Sequence, residues 1–238
     1  IISFGGLAIR NIEMADNWQI NFYRSIAFGI AISIVLLFRY GKTGPQQLKG
    51  IGLQGILAAM LIGCASICFL MAITNTTVAA TTFTLSSIPF LTAIMAWLFL
   101  GERIGKSTIF TMFIALVGIS IMFVHGLGSG RFYGNLMAFL CAIGFSSYAI
   151  IIRRNRRLEM LPTLILSNLI IMLVALIFTW DNLLISWNDL LLCFVLGGLL
   201  SATVNTFFII AAKHLFAAEL TLFMLLEFTL GPIWVWIF

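Results

Sequence analysis

Two ionisable side chains, Arg24 and Glu227, stand inside long apolar runs of this 238-residue chain, and they set the chemistry the sequence can support. Glu227 is residue 11 of the 22-residue run Ala217–Phe238, which puts a carboxyl group near the middle of any bilayer the run crosses. An ionised carboxylate there costs at least about 2.5–3.5 kcal/mol, so it must face a cavity, meet a partner or take up a proton. Contact with a solute in a central cavity, a proton-linked role and an interhelical hydrogen bond or ion pair all stay open for it. Arg24 is the seventh residue of Trp18–Phe38, about 10 Å below the membrane edge at about 1.5 Å per residue. Its side chain can snorkel to the interface, hold an anionic group or meet a helix carbonyl.

Uncharged polar residues form a second tier. Gly197-Ser201-Asn205 and Gly198-Ala202-Thr206 recur at i, i+4, i+8, a face of small residues on which helices approach closely. Asn205 carries the largest polar group of that set and is a cavity candidate, as are Ser86 (beside Thr84 and Ser87), Tyr148 and Asn168. Pro89 and Pro232 each remove an N–H within a span and free a carbonyl, giving a gating bend or a static kink. Trp97, Trp234 and Trp236 lie towards span ends, where indoles anchor at the interface. Catalytic constellations are thin. His125 and His214 fall near opposite faces, so neither a histidine metal pair nor a Ser-His-Asp set can be built. Cys64 and Cys68 share a helix face without a third ligand, and Gly126-Leu127-Gly128-Ser129-Gly130 follows no strand and reads as a connector. No enzyme activity, metal or cofactor is expected.

The elements that must position these residues follow from composition. Hydrophobic residues make up 62% of the chain and charged ones 9%, against about 45–50% and about 25% in soluble domains. So much apolar surface cannot be hidden from water, and the outside of the fold must be lipid. Continuous apolar blocks, rather than the alternating segments of a barrel, make the class all-α. Eight runs are long enough to cross: Trp18–Phe38, Ile51–Ile73, Val78–Leu100, Ser107–Val124, Tyr133–Ile152, Pro162–Trp180, Leu190–Ala212 and Ala217–Phe238. Ile1–Ile9 is too short and reads as the tail of a cut first helix, so a fragment with one further helix missing at the far end is expected. Cys64, Cys68, Cys141 and Cys193 all lie in apolar blocks and are expected to pack as small hydrophobes.

Short loops force consecutive spans to run antiparallel, and the charges then sort by side. Arg39, Lys42, Lys49, Arg103, Lys106, Arg153, Arg154, Arg156, Arg157 and Lys213 share one side, 10 of the 13 basic residues. The positive-inside rule makes that side cytoplasmic, with the N-terminal end and the Arg153–Arg157 loop inside. The net charge of +5 is a product of these loops, and no nucleic-acid partner is expected. The block from Val78 to Phe99 can be laid on the block from Ala217 to Phe238, matching Ala79 with Ala218, Thr82 with Thr221 and Trp97 with Trp236 at an offset of 139 (218 − 79). Ile9-Arg10 matches Ile152-Arg153 at an offset of 143 (152 − 9). Each repeat would hold five helices, and an odd number inverts the second repeat. Equivalent loops carry the opposite charge that inversion demands: Asn11–Asp16 is acidic and Arg153–Arg157 basic.

The run Leu85-Ser86-Ser87-Ile88-Pro89-Phe90, followed by Trp97-Leu98-Phe99-Leu100-Gly101-Glu102-Arg103, resembles the fourth helix of EamA-type members of the drug/metabolite transporter superfamily. Leu225–Trp234 is similar to the ninth helix of one branch, and Phe22-Tyr23-Arg24 and Gly118-Ile119 are further echoes. The resemblance implies ten helices in two inverted repeats, about nine of them present: residues 1–124, a connector 125–132, and residues 133–238. It implies a multi-pass transporter of the inner or plasma membrane that moves small, amino-acid-like metabolites, as an exporter, by alternating access. A channel-like or structural membrane subunit is the alternative. The expected partners are a small-molecule substrate and the lipid bilayer, with proton coupling and homodimer formation left open. Glu102-Arg103 reads as a structural turn at the cytoplasmic mouth.

Overall fold

The computed structural model describes residues 9, 11, 12, 14–41, 52–101, 110, 114, 117, 121, 131–156, 158–222 and 224. Glu227, Pro232, Trp234, Trp236, Glu102, Arg103, His125 and most of 107–124 lie outside the described residues. Regular structure among the described residues is helical throughout.

Helix α1 (Asn17–Tyr40) starts where Asp16 and Gln19 form a capping box, and it stops at Gly41, whose φ of 54° few other residues adopt cheaply. Its stripe Ile20, Arg24, Phe28, Ile32 and Leu36 repeats every four residues and is buried along its length. Helix α2 (Gly52–Asn75) runs back, closed by the Asn75 amide donating to the Met71 carbonyl at 2.8 Å. The next span is broken into α3 (Val78–Leu85) and α4 (Ile88–Leu100). Pro89 has no N–H to donate and its ring crowds the carbonyl four residues back, so the helix restarts just before it. Ser86 and Ser87 fill the gap by donating to the carbonyls of Phe83 and Thr84 at 2.6 and 2.7 Å. Helix α5 is Phe132–Arg154 and α6 is Pro162–Thr179, with proline at its first position. The next described span joins α7 (Trp187–Phe194), a π-helical segment Val195–Ser201 and α8 (Ala202–Ala212); α9 is Ala217–Leu222.

Six of these spans are long and apolar enough to cross a bilayer. Their 18 to 26 residues rise about 27–39 Å at about 1.5 Å each, against about 30 Å of hydrocarbon. The exposed surface is correspondingly apolar, with Phe38, Trp97, Leu173, Ile177 and Phe207 all facing out. Serine and threonine survive within the spans by donating to their own helix, as Thr82 does to Val78 and Thr179 to Ala175.

Close packing depends on small residues. A Cβ built on Gly144 of α5 would lie 3.2 Å from the Ala65 Cβ of α2, and one on Gly63 would lie 3.4 Å from the Ser167 carbonyl of α6. Helix α1 lies antiparallel against α6: Trp18 stacks on Phe178 with ring centroids 4.3 Å apart, and Gln19 donates to the Asn182 carbonyl at 2.7 Å beyond the far end of α6. These are the two helices that an offset of 143 superimposes, and an antiparallel match is what inverted repeats require. Two glycines mark close helix crossings: α2 lies on α6 through Gly63, and the π-helical segment lies on α1 through Gly197.

Candidate functional site

Where the two halves meet, a cavity of about 150 Å³ is lined by α1, α2, α3, α4, α5, α6, the π-helical segment and α8. Its wall is mostly apolar, with Phe28, Phe69 and Phe145 contributing rings. Its polar lining is Arg24, Ser66, Thr82, Ser167, Asn168, Ser201 and Asn205.

Arg24 is placed there by the four-residue seam of α1, and it does not snorkel. The side chain is 8% exposed, and its Nη2 donates to Ser66 Oγ at 2.6 Å and to Asn21 Oδ1 at 3.2 Å. The route to the interface is closed because the seam faces the bundle interior, where the π-helical segment crosses α1 at the Arg24 backbone. A Cβ on Gly197 would sit 2.0 Å from the Arg24 carbonyl oxygen. Only glycine allows that approach, and the extra residue per turn of the π geometry brings Leu196, Leu200 and Ser201 to the cavity wall.

Asn168 and Asn205 also line the cavity, and each donates its amide back to the carbonyl four residues earlier, at 2.8 and 2.9 Å. Two other sequence candidates lie elsewhere. Ser86 is spent on the α3–α4 break, and Tyr148 is fully buried behind Phe145, with ring centroids 5.8 Å apart. Pro89 sits just beyond the break; Leu85 and Ile88, which flank the break, do line the cavity. Glu227 and Pro232 lie outside the described residues. Sequence reasoning misses Ser66, Thr82 and Ser167 as lining residues, although the repeat offsets carry Ser66 onto Asn205 (205 − 66 = 139) and Arg24 onto Ser167 (167 − 24 = 143).

Contacts between residues 1–124 and 133–238 tie the bundle together at each end, and at one of them a charged cluster within 133–238 adds to the cross-contact of Tyr40 with Glu159. At one end Gln19 donates to the carbonyls of Asn182 and Leu184, Tyr23 to that of Leu183, and the Met14 N–H to Asp189. At the other, Glu159 accepts from Tyr40 and pairs with Lys213, while the Arg153 guanidinium lies 5.1 Å from the Phe216 ring centroid. Partial burial pushes the Glu159 pKa up, but the Lys213 and Tyr40 hydrogen bonds outweigh it and hold the carboxyl below its ordinary range.

The sequence profile of the EamA-like transporter family matches residues 1–124, just over half of the chain. The chain belongs to the EamA-like transporter family. No curated protein matches it. A solved structure described as "Crystal structure of protein" superposes with a TM-score of 0.70, covering 99% of this chain and 84% of its own at 16% identity, which is a likeness of fold. This EamA-like family member is therefore a multi-pass membrane transporter, as the Leu-Gly-Glu motif and the span pattern implied.

Proposed function

We propose that this chain is a secondary transporter that carries small metabolites across the inner or plasma membrane by alternating access. The observation that carries the reading is a central cavity lined by both halves, with contacts across them at each end: Gln19 and Tyr23 to the carbonyls of 182–184, and Tyr40 to Glu159. A carrier must open one end while the other stays shut. The Gln19–Tyr23 contacts and the Tyr40–Glu159–Lys213 cluster are side-chain interactions, and either set can break while the other holds. The end bearing Arg39, Arg153, Arg154, Arg156 and Lys213 is the cytoplasmic one by the positive-inside rule. Arg24, Asn168 and Asn205 hold the substrate, Pro89 and Pro232 serve the bends, and residues 1–124 and 133–238 are the two repeats. Glu227, near the middle of the run Ala217–Phe238, is the group through which protons would couple. Amino-acid-like solutes moving outward fit the family resemblance. The test is counterflow in proteoliposomes with a panel of labelled small metabolites. Saturable counterflow supports a carrier; flux that stays linear with concentration at rates above carrier turnover makes the chain a channel and ends this reading.

A further inference from the structure

We infer that the cavity takes a small organic anion, a carboxylate on an apolar body of about ring size, with its charge held by Arg24. The inference rests on the carrier reading above and names the substrate class for the same cavity.

Arg24 is permanently charged and more than nine-tenths buried. Its polar partners among the described residues are two neutral oxygens, Asn21 Oδ1 and Ser66 Oγ, and both accept from Nη2. A guanidinium has five N–H donors, so Nε–H and both Nη1–H groups stay without a partner among the described residues. Burying a charge is costly unless an anion meets it, and no carboxylate is among the described residues that line the cavity. The rest of the described polar lining is hydroxyls and amides, which supply hydrogen bonds but no compensating charge. A carboxylate matches the guanidinium fork, and the apolar wall of Phe28, Phe69 and Phe145 lowers the local dielectric in which the pair meets. An apolar cavity of about 150 Å³ is large enough to hold benzene, and this one has that volume. A solute with a ring-sized body and an anionic head fills the apolar space and ends the isolation of Arg24 in one step. A cationic head would meet Arg24 with like charge.

Benzoate, benzamide and benzylammonium share one ring and differ in charge, so they isolate the head group. Their binding to the whole chain in lipid nanodiscs is measured by calorimetry. Benzoate is expected to bind saturably, with benzamide and benzylammonium at least about tenfold weaker. Arg24→Gln is expected to lose benzoate by at least about tenfold, with Arg24→Lys in between because it keeps charge but not the fork. Should Arg24→Gln fail to fold, Asn205→Leu fills the cavity from α8 without touching the Arg24 hydrogen bonds and is expected to lose benzoate too. Equal binding of the three solutes, or benzoate binding insensitive to both variants, overturns the inference. So does a tenfold or larger rise in benzoate affinity in Glu227→Gln, which would make Glu227 the counter-ion of Arg24. Saturable counterflow of a neutral or cationic solute, unchanged by Arg24→Gln, overturns the anion while leaving the carrier standing. Linear flux above carrier rates removes the carrier reading itself.

Discussion

Gly197→Ala is the most discriminating single perturbation of this fold. The added Cβ would lie 2.0 Å from the Arg24 carbonyl oxygen, 2.9 Å from the Arg24 carbonyl carbon and 3.0 Å from Arg24 Cγ. Ordinary contact begins at about 3.4 Å, so the π-helical segment and α1 must separate by more than about 1 Å. Two of the three obstacles are backbone atoms, which no rotamer change can move. Overpacking costs about 1–3 kcal/mol and sometimes more, and a clash with backbone belongs at the upper end. At about 2–4 °C per kcal/mol for a chain of this length, the melting temperature should fall by about 6–12 °C. Two neighbouring glycines act as controls. A Cβ on Gly198 would meet the Ala27 oxygen at 3.5 Å, ordinary contact, and one on Gly29 meets nothing within 4 Å. Gly198→Ala should therefore melt close to the parent, and Gly29→Ala should gain up to about 1 kcal/mol from helix propensity. Thermal unfolding of the three variants in one detergent, followed by tryptophan fluorescence, reads all the shifts. A Gly197→Ala protein that melts within 1 °C of the Gly198→Ala protein would refute the close approach of these two elements, and with it the account of why Arg24 stays buried.

Three other expectations follow. Gly134→Ala places a Cβ 2.7 Å from the Asn75 carbonyl carbon and 2.8 Å from Thr76, so the same melting assay should show about 1–3 kcal/mol of destabilisation, with Thr76→Gly relieving some of it. The Lys213–Glu159 pair is partly exposed, so a double-mutant cycle of Glu159→Gln and Lys213→Met should give a coupling of about 0.5–1 kcal/mol; zero coupling would show that the pair adds nothing to that end of the bundle. Because the folded-state pKa of Glu159 is depressed, its stabilisation is present above about pH 4.3 and fades as pH falls through the lower folded value. Glu159→Gln should flatten that acid limb of the stability curve, and an unchanged limb would show that the carboxylate contributes nothing. Finally, Glu227→Gln should alter proteoliposome flux while expression is retained, and identical flux from pH 5 to 8 would exclude a proton-coupling role.

The sequence by itself settled the solvent of this protein and the direction of its helices. With 62% hydrophobic and 9% charged residues, no aqueous fold is available, and short loops between apolar runs leave antiparallel helices as the arrangement. Span limits were legible for the same reason: the six described spans start and stop within a few residues of the runs predicted, because caps, prolines and loop charges mark them. Helix faces were less legible. In a bundle bathed by lipid the outside is as apolar as the core, so hydrophobic periodicity cannot separate an inward Phe145 from an outward Phe207. That is why Tyr148 and Asn168 look alike in sequence, although one is sealed behind a ring and the other lines the cavity. The snorkelling option for Arg24 is open in the sequence for the same reason. Only Gly197, more than 170 residues away in the chain and packed against the Arg24 backbone, closes it. Local rules place a residue at a depth in the membrane; long-range contacts decide which way it faces.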